Sequence, residues 1–328
     1  MKKQLAVVFV LAIVIGGILF VATRKESQDE EEVKIVAIAT LMSHPALDSV
    51  RQNAKKELER QGFVEGENIR YIERNANGQS QVAASIANQL ASQDPDVILA
   101  ITTPMAQAVA KVARCPVVFG AVTDPVGAGL VDSLDRGEDT ITGTSDAWPY
   151  EDQLKLIRRI SPSAKRLGLL YNPGEAASQY GVKQIQRYAP GLGFELVEGS
   201  VSSTTEVYPV AQNLAGRVDA LFLSSDNTVI GGVAAAVKVA TKHELPLYVG
   251  DSGTVEKGGL AAVSVGYAEL GTETGKLVVR VLNGERNIPT VVGKGSEVYL
   301  NTKAAEMMGV TIPDDVVRKA TKVFREIK

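Results

Sequence analysis

The sequence has few of the residues that build covalent or metal cross-links. It contains one cysteine, Cys115, so neither an intramolecular disulfide nor a cage of thiolate ligands can form. His44 and His243 are the two histidines, which argues against a histidine-rich metal site. We therefore expect no bound metal and no cofactor.

Signatures of catalysis and phosphate binding are also missing. No G-x-x-x-x-G-K-[ST] loop occurs, and residues 292–296 (VGKGS) lack the upstream glycine that such a loop needs. No G-x-G-x-x-G follows the first predicted strand, where a dinucleotide-binding fold requires it. Because there are only two histidines, a Ser-His-Asp triad would have to arise by chance. These absences favour a protein that is not an enzyme.

The charge balance lacks an excess of either sign. Lys and Arg number 35 against 38 Asp and Glu, which gives a net charge of -3 and argues against a nucleic-acid partner. Hydrophobic residues make up 45% and aromatic residues only 5%, so we expect a globular protein with a mainly aliphatic core. A chain of 328 residues is long enough for two domains.

One long apolar run lies near the N-terminus. Residues 5–22 (LAVVFVLAIVIGGILFVA) carry no charge, and as a helix they would span roughly 27 Å, close to the thickness of a bilayer core. The run indicates a cleavable signal or an uncleaved anchor. Thr23 and Arg24 follow it instead of a small-residue cleavage site, which favours the anchor. We assign residues 1–32 to one apolar helix, as anchor or signal, followed by an acidic spacer.

From residue 33 onward, apolar strands alternate with amphipathic helices, and the order occurs twice. The first pass places strands at 33–39, 69–73, 96–100 and 117–119, and the second at 166–171, 194–197, 219–223 and 246–249. Between the last two strands the sequence predicts one helix over 227–242. Such runs are typical of parallel sheets that are covered on both faces. The sequence therefore predicts an α/β fold of two doubly wound parallel-sheet lobes joined by a hinge. Ligands of open α/β sheets bind at the carboxyl ends of the strands.

Polar side chains follow the predicted strands at those ends. In the first pass they are Ser43, His44, Thr102, Thr103, Thr123 and Asp124, and in the second Tyr171, Asn172, Glu175, Asp226, Asn227 and Asp251. Hydroxyl groups at a helix start suit a carboxylate, and acidic loops suit an ammonium group, so the set is complementary to a zwitterion. Ser, Thr, Asp and Asn are also ordinary helix caps, and capping remains the alternative for each residue.

Five stretches resemble the substrate-binding proteins of ABC transporters, in particular the group with tryptophan- and tyrosine-binding lipoproteins. They are 102–107 (TTPMAQ), 122–126 (VTDPV), 142–146 (TGTSD), 171–175 (YNPGE) and 266–271 (GYAELG). The resemblance implies a type I periplasmic-binding-protein fold whose lobes close over a ligand, commonly an aromatic amino acid. It also implies an ABC transporter permease as partner and an extracytoplasmic location. The chain departs from lipoprotein relatives because no lipid-attachment cysteine follows the apolar run.

The resemblance also implies that the chain crosses between the lobes more than once. We place the crossings near 142–146, 264–267 and 289. Lobe 1 then comprises residues 33–143 and 268–288, and lobe 2 comprises residues 144–267 and 289–328. We expect a monomer that is anchored on the outer side of the cytoplasmic membrane, or is secreted or periplasmic if the N-terminal segment is cleaved. A membrane-anchored sensor for a separate signalling partner is the alternative function.

For an amino-acid ligand, Thr102, Thr103 and Thr123 are expected to bind the carboxylate, together with N–H groups of the helix that begins near Pro104. Asp251 or Asp226 would bind the ammonium group, and Asp251 is favoured because glycines at 250 and 253 leave its loop free to approach a ligand. The candidate walls of an aromatic slot, which are equally compatible with core or hinge packing, are Phe119, Trp148, Tyr171 and Tyr267.

Overall fold

The computed structural model describes residues 33–328, so the apolar helix predicted within residues 1–32 lies outside the described residues. No helix between residues 33 and 328 is long and apolar enough to span a membrane.

The first part of the chain builds a layer of strands with helices on both faces. Its strands are buried along most of their length, and Val97–Ile101 is buried at every position, as expected for a parallel strand covered on both faces. The elements are β1 Lys34–Thr40, α1 Pro45–Arg60, β2 Ile69–Asn75, α2 Ser80–Ala91, β3 Val97–Ile101, α3 Thr103–Ala110, β4 Val117–Gly120 and β5 Ile141–Ser145.

The second part repeats this alternation. Its elements are α4 Tyr150–Ile160, β6 Arg166–Tyr171, α5 Ala176–Tyr188, β7 Glu195–Ser200, α6 Val207–Ala215, β8 Ala220–Leu223, α7 Asn227–Gly231, α8 Val233–Lys242 and β9 Leu247–Tyr248. The sequence predicted one helix over 227–242, but the structure divides it at Gly232. A Cβ atom there would lie 2.8 Å from the side chain of Val207, so the break lets two segments pack closely.

The last part returns to both layers. Its elements are α9 Ser252–Glu256, β10 Ala261–Val265, α10 Tyr267–Leu282, β11 Val291–Val292, β12 Gly295–Asn301, α11 Thr302–Met307, α12 Asp314–Lys319 and β13 Lys322–Phe324. Helix α10 packs along α1 at two glycines. Cβ atoms at Gly271 and Gly275 would lie 2.6 and 2.7 Å from the backbone carbonyls of Val50 and Ala54, so the helices touch backbone to backbone.

Two parallel sheets form the centres of two lobes. The first sheet has the order β11-β5-β4-β3-β1-β2, and the second has the order β7-β6-β8-β9. The strand order β2-β1-β3-β4 of the first sheet thus recurs in the second sheet as β7-β6-β8-β9. The prediction of two parallel sheets built by a repeated unit is confirmed. A third sheet, β10-β12-β13, combines antiparallel and parallel pairs and was not predicted. We call the six-stranded sheet with its helices the first lobe. The four-stranded sheet with its helices forms the second lobe together with the third sheet, which packs in the same hydrophobic core.

Three connections join the lobes. The chain passes from β5 to α4, from β10 to α10, and from β11 to β12. The third follows Val292, because β11 pairs with β5 in the first sheet. Residues 291–292 therefore belong to the sheet of the first lobe, although the prediction assigned them to lobe 2. The carboxyl ends of the two sheets enclose the space between the lobes.

Candidate functional site

Loops at the carboxyl ends of the strands line a cleft between the two lobes. Seven of the twelve predicted site residues line it, namely His44, Thr102, Thr103, Thr123, Asp226, Asn227 and Asp251. Four further polar or aromatic residues join them, namely Asp146, Trp148, Ser225 and Tyr267. Apolar contacts come from both lobes, among them Met42 and Ile230.

Five predicted site residues lie outside this lining. Ser43 is exposed and accepts a hydrogen bond from the amide of Asn75 at 3.2 Å. Asp124 accepts from the backbone N–H of Gly127 at 3.0 Å and stabilises its own loop. The hydroxyl of Tyr171 donates to Glu198 at 2.8 Å. These three side chains serve local structure.

The other two residues outside the lining hold the start of α7. Glu175 accepts hydrogen bonds from the backbone N–H groups of Asn227 and Thr228 at 3.0 and 2.9 Å. Asn172 donates its side-chain amide to the Thr228 hydroxyl at 2.9 Å. Glu175 thus acts as a cap, which is the alternative that residue type alone left open, and Asn172 supports the same turn through the side chain of Thr228.

Thr102 has a strained backbone at the floor of the cleft. Its φ of 88° and ψ of 154° fall in a region that glycine adopts and β-branched residues avoid. Its hydroxyl is buried and has no hydrogen-bond partner within residues 33–328. The next residue begins α3, whose first N–H groups lack intrahelical partners. An unpaired hydroxyl beside a helix N-terminus suits an anionic group.

Asp146 is the acidic residue that the sequence analysis missed. It follows β5, and its side chain is 5% exposed. One carboxylate oxygen accepts from the Thr123 hydroxyl at 3.1 Å, and the other accepts from the Tyr267 hydroxyl at 2.9 Å. Burial raises the pKa of Asp146 to about 6, although the two hydroxyl donors act in the opposite direction. The sequence does indicate Asp146, because it is the last residue of 142–146, a stretch that resembles the family and lies at a predicted crossing between the lobes.

Two of the four candidate aromatic walls line the cleft. The indole nitrogen of Trp148 donates to the Tyr267 hydroxyl at 3.0 Å, and both residues are buried. Phe119 is fully buried in the core of the first lobe, and Tyr171 is engaged outside the cleft. Trp148 lies between β5 and α4, and Tyr267 begins α10. Their hydrogen bond therefore joins two of the three chain segments that cross between the lobes.

Asp226 and Asp251 line the cleft, yet both cap short helices. Asp226 accepts from the Val229 N–H at 2.8 Å and from the Ser178 hydroxyl at 2.7 Å. Burial, and after it the nearby charge of Glu175, raises the pKa of Asp226 above its ordinary value. Asp251 accepts from the backbone N–H of Thr254 at 2.9 Å.

Replacing Asp251 with alanine should mainly reduce stability. We expect Asp251→Ala to lower the free energy of unfolding of the ligand-free protein by about 1–2 kcal/mol, because α9 loses its cap. Ligand affinity per folded molecule should change much less than on loss of a carboxylate that contacts the ligand. Thermal unfolding and calorimetric titration of the one variant measure both quantities. Unchanged stability with a large loss of affinity would contradict the capping role.

Side chains of the two lobes contact each other directly across the cleft. The hydroxyls of Thr123 and Ser225 are 2.9 Å apart. Nε2 of His44 lies 3.3 Å from the Thr254 hydroxyl. These contacts join loops that are more than a hundred residues apart in sequence, so they require that the lobes be close together.

Residues 35–324 match the family described as ABC transporter substrate binding protein. The chain belongs to this family. The substrate-binding protein is 32% identical over 309 residues to the "Tyrosine-binding protein" of Clostridioides difficile, an alignment that covers 89% of this chain and 90% of that protein. The predicted resemblance is therefore confirmed. The family is one of solute-binding proteins, which serve ABC transporters, and those of importers act outside the cytoplasm.

Two solved structures relate the substrate-binding protein to different lobe arrangements. An ABC domain in complex with L-Trp from Streptococcus pneumonia has 31% identity and a TM-score of 0.85, over 89% of this chain and 99% of that one. The ligand-free, open structure of a substrate binding protein with adhesive properties from Clostridium difficile has 34% identity and a TM-score of 0.68, over 90% and 100%. The lobe arrangement here resembles that of the complex more than that of the open protein.

Proposed function

We propose that the protein captures an aromatic α-amino acid, tyrosine or tryptophan, between its lobes and delivers it to an ABC transporter permease. The observation that carries the proposal is that an unpaired hydroxyl and a buried carboxylate, Thr102 and Asp146, line the same cleft. A ligand with a negative and a positive group close together complements this pair. The names of the relatives, one tyrosine-binding and one in complex with L-Trp, support the aromatic class.

The carboxylate of the ligand is assigned to the start of α3. There the Thr102 hydroxyl would gain the partner that it lacks, and the first N–H groups of the helix would donate to the same anion. Thr103 and Thr123 line the cleft beside it. The strain at Thr102 supports a binding role, because strained backbone conformations concentrate at ligand sites.

We assign the ammonium group to Asp146 in place of the predicted Asp251. The carboxylate of Asp251 accepts the N–H and the hydroxyl of Thr254, and that of Asp226 is occupied by three donors. Asp146 also receives two donors, at 2.9 and 3.1 Å, but both are hydroxyls of residues that line the cleft, and neither is the N–H group of a helix start. Its carboxylate can therefore accept a charged donor without giving up a helix cap. A bound ammonium group would also favour the ionised form of Asp146, which burial disfavours.

The aromatic side chain of the ligand is assigned to the surface formed by Trp148, Tyr267 and the apolar residues Met42 and Ile230. Aromatic rings and a thioether sulfur give favourable contacts to a flat ring. Both walls of the cleft come from one chain, so the protein would function as a monomer. Residues 1–32 would hold it at the outer face of the membrane.

Calorimetric titration tests the ligand class with matched compounds. L-tyrosine or L-tryptophan should bind, whereas tyramine, which lacks the carboxylate, and 3-(4-hydroxyphenyl)propionate, which lacks the ammonium group, should each bind at least tenfold more weakly. L-leucine serves as the control for the aromatic ring. Recovery of the ligand unchanged after prolonged incubation would agree with a binding protein. Equal binding of tyrosine and its two truncated analogues would overturn the assignment.

A further inference from the structure

His44 reaches from the first lobe onto a helix of the second lobe. It follows β1 and stands at the N-cap position of α1, and its imidazole is 3% exposed. Its Nε2 lies 3.3 Å from the Thr254 hydroxyl and 3.7 Å from a carboxylate oxygen of Asp251. Both partners belong to the first turn of α9, which is anchored in the core of the second lobe through Val255. The imidazole is therefore a contact that exists only while the lobes are together.

The imidazole occupies a notch that a glycine leaves open. A Cβ atom at Gly253 would lie 2.5 Å from Cε1 of His44 and 3.1 Å from the backbone nitrogen of Ala46. A separation under 3.0 Å requires an atom to move, and here a ring buried between two lobes would have to do so. Gly253 thus allows the two lobes to meet at this point.

The hydrogen bonds at the notch define the tautomer of the neutral imidazole. The Thr254 hydroxyl donates to Asp251 at 2.5 Å, so its oxygen is left to accept the Nε2–H of His44. A neutral imidazole with its proton on Nε2 satisfies this arrangement.

Charged groups around the ring do not offset its burial. Burial lowers the pKa of His44 and Lys257 acts in the same direction, while Asp251, Asp48 and Glu256 act against them. The result is a pKa below the ordinary value, so closing the lobes disfavours the protonated ring.

We propose that His44 and the notch at Gly253 form a latch that holds the lobes closed while the imidazole is neutral and releases them when it is protonated. The latch concerns release of the ligand and not its recognition. The tests that measure affinity rest on the proposed function, because they use the proposed ligand. Protonation of His44 would therefore loosen the ligand although His44 is not among the groups assigned to contact it.

The size of the effect follows from linkage. In the open protein the ring is solvated and titrates near its ordinary pKa of about 6.5. If His44 binds no proton in the closed form, the open protein must release this proton before its lobes close over the ligand. The affinity at pH 5.5 is then lower than at pH 7.5 by up to about tenfold, because ligand binding has to offset the cost of removing the proton. The loss begins as the pH falls through 6.5 and stops once the closed form is protonated as well.

The first test compares the pH dependence of affinity in matched variants. Affinity for L-tyrosine is measured by calorimetry at pH 7.5 and 5.5 for the wild type, His44→Gln and His243→Gln. Glutamine keeps a neutral donor, so we expect His44→Gln to lose several-fold less affinity on acidification than the wild type does. His243 is exposed and remote from the notch, so His243→Gln should behave as the wild type. Other groups that titrate, such as Asp146, contribute equally to all three proteins.

The second test fills the notch without changing a charge. Gly253→Ala should weaken the binding of L-tyrosine by tenfold or more at pH 7.5 and leave the thermal stability of the ligand-free protein nearly unchanged, because the added methyl group meets His44 only when the lobes are together. Gly216→Ala is the matched control, because a Cβ atom there meets nothing within 4 Å. Wild-type affinity in Gly253→Ala would overturn the proposal.

Equal pH dependence in the wild type and His44→Gln, or tighter binding of the wild type at pH 5.5, would also overturn it. If neither L-tyrosine nor L-tryptophan binds, the proposed ligand is wrong, and small-angle scattering of the ligand-free proteins then decides about the latch. The radius of gyration of the wild type should increase from pH 7.5 to 5.5, and that of His44→Gln should not. The same radius change in both proteins would contradict the latch.

Discussion

Asp146→Asn is expected to weaken the binding of L-tyrosine or L-tryptophan by about tenfold to a hundredfold. The change removes a charge-assisted hydrogen bond to the ligand ammonium group, and such a bond contributes roughly 1.5–3 kcal/mol. Asparagine has nearly the same shape, and the hydroxyls of Thr123 and Tyr267 can rotate to suit it. Calorimetric titration at pH 7.5 measures the loss. Retention of wild-type affinity would contradict the assignment of the ammonium group.

The same substitution should not destabilise the ligand-free protein. The pKa of Asp146 rises from 3.8 to about 6 on folding, so holding the carboxylate ionised in the folded protein at pH 7.5 costs on the order of 3 kcal/mol. Asparagine removes this penalty. The advantage of the variant should shrink as the pH falls below 6 and disappear below 3.8, where the wild type is protonated in both states. Denaturant unfolding at pH 7.5 and 4.5 measures the difference.

Asp251→Ala is expected to show the opposite pattern to Asp146→Asn when unfolding and calorimetric titration are measured. It removes a cap and is expected to reduce stability, whereas Asp146→Asn is expected to reduce affinity. A lower stability of Asp146→Asn at pH 7.5 would mean that its two hydroxyl contacts are structural and outweigh the burial of the charge.

Gly250→Ala is expected to damage both stability and binding. A Cβ atom at this position would lie 1.9 Å from two carbons of the Trp148 ring. The ring is buried and is held by its hydrogen bond to Tyr267, so it cannot retreat without opening the packing around it. We expect a loss of about 1–3 kcal/mol in the free energy of unfolding and at least a tenfold loss of affinity, because a wall of the cleft is displaced.

Chemical unfolding and calorimetric titration of Gly250→Ala measure the two losses. Gly191→Ala is the control for the change of residue type, since a Cβ atom there meets nothing within 4 Å. Normal stability and affinity in Gly250→Ala would show that the indole has room to move.

The alternating pattern of the sequence was sufficient to predict the two parallel sheets, because their strands are short, buried and close to the helices that follow them. The sheet β10-β12-β13 was beyond such analysis. It pairs segments at 261–265, 295–301 and 322–324, and its strands have no common local period that would indicate the pairing. The division of the helix at Gly232 likewise depends on the approach of Val207, which is distant in sequence.

In the site, sequence position located the right loops, but residue type did not separate ligand-binding groups from caps. Asp251 and Asp146 both follow strands, and what distinguishes them is which donors already occupy their oxygens. That information depends on contacts such as Asp146 with Tyr267, 121 residues apart. The strain at Thr102 is also invisible in the sequence, since threonine before a helix start is ordinary.

The position of Trp148 gives the protein a built-in optical reporter. It is the one tryptophan among 328 residues, and it lines the cleft. Its indole N–H donates a hydrogen bond to the hydroxyl of Tyr267, the first residue of α10. Indole fluorescence excited selectively over tyrosine therefore comes from a single site, at the junction of cleft and hinge. When L-tyrosine is the ligand, the emission of the unmodified protein follows the opening and closing of its lobes without an attached dye.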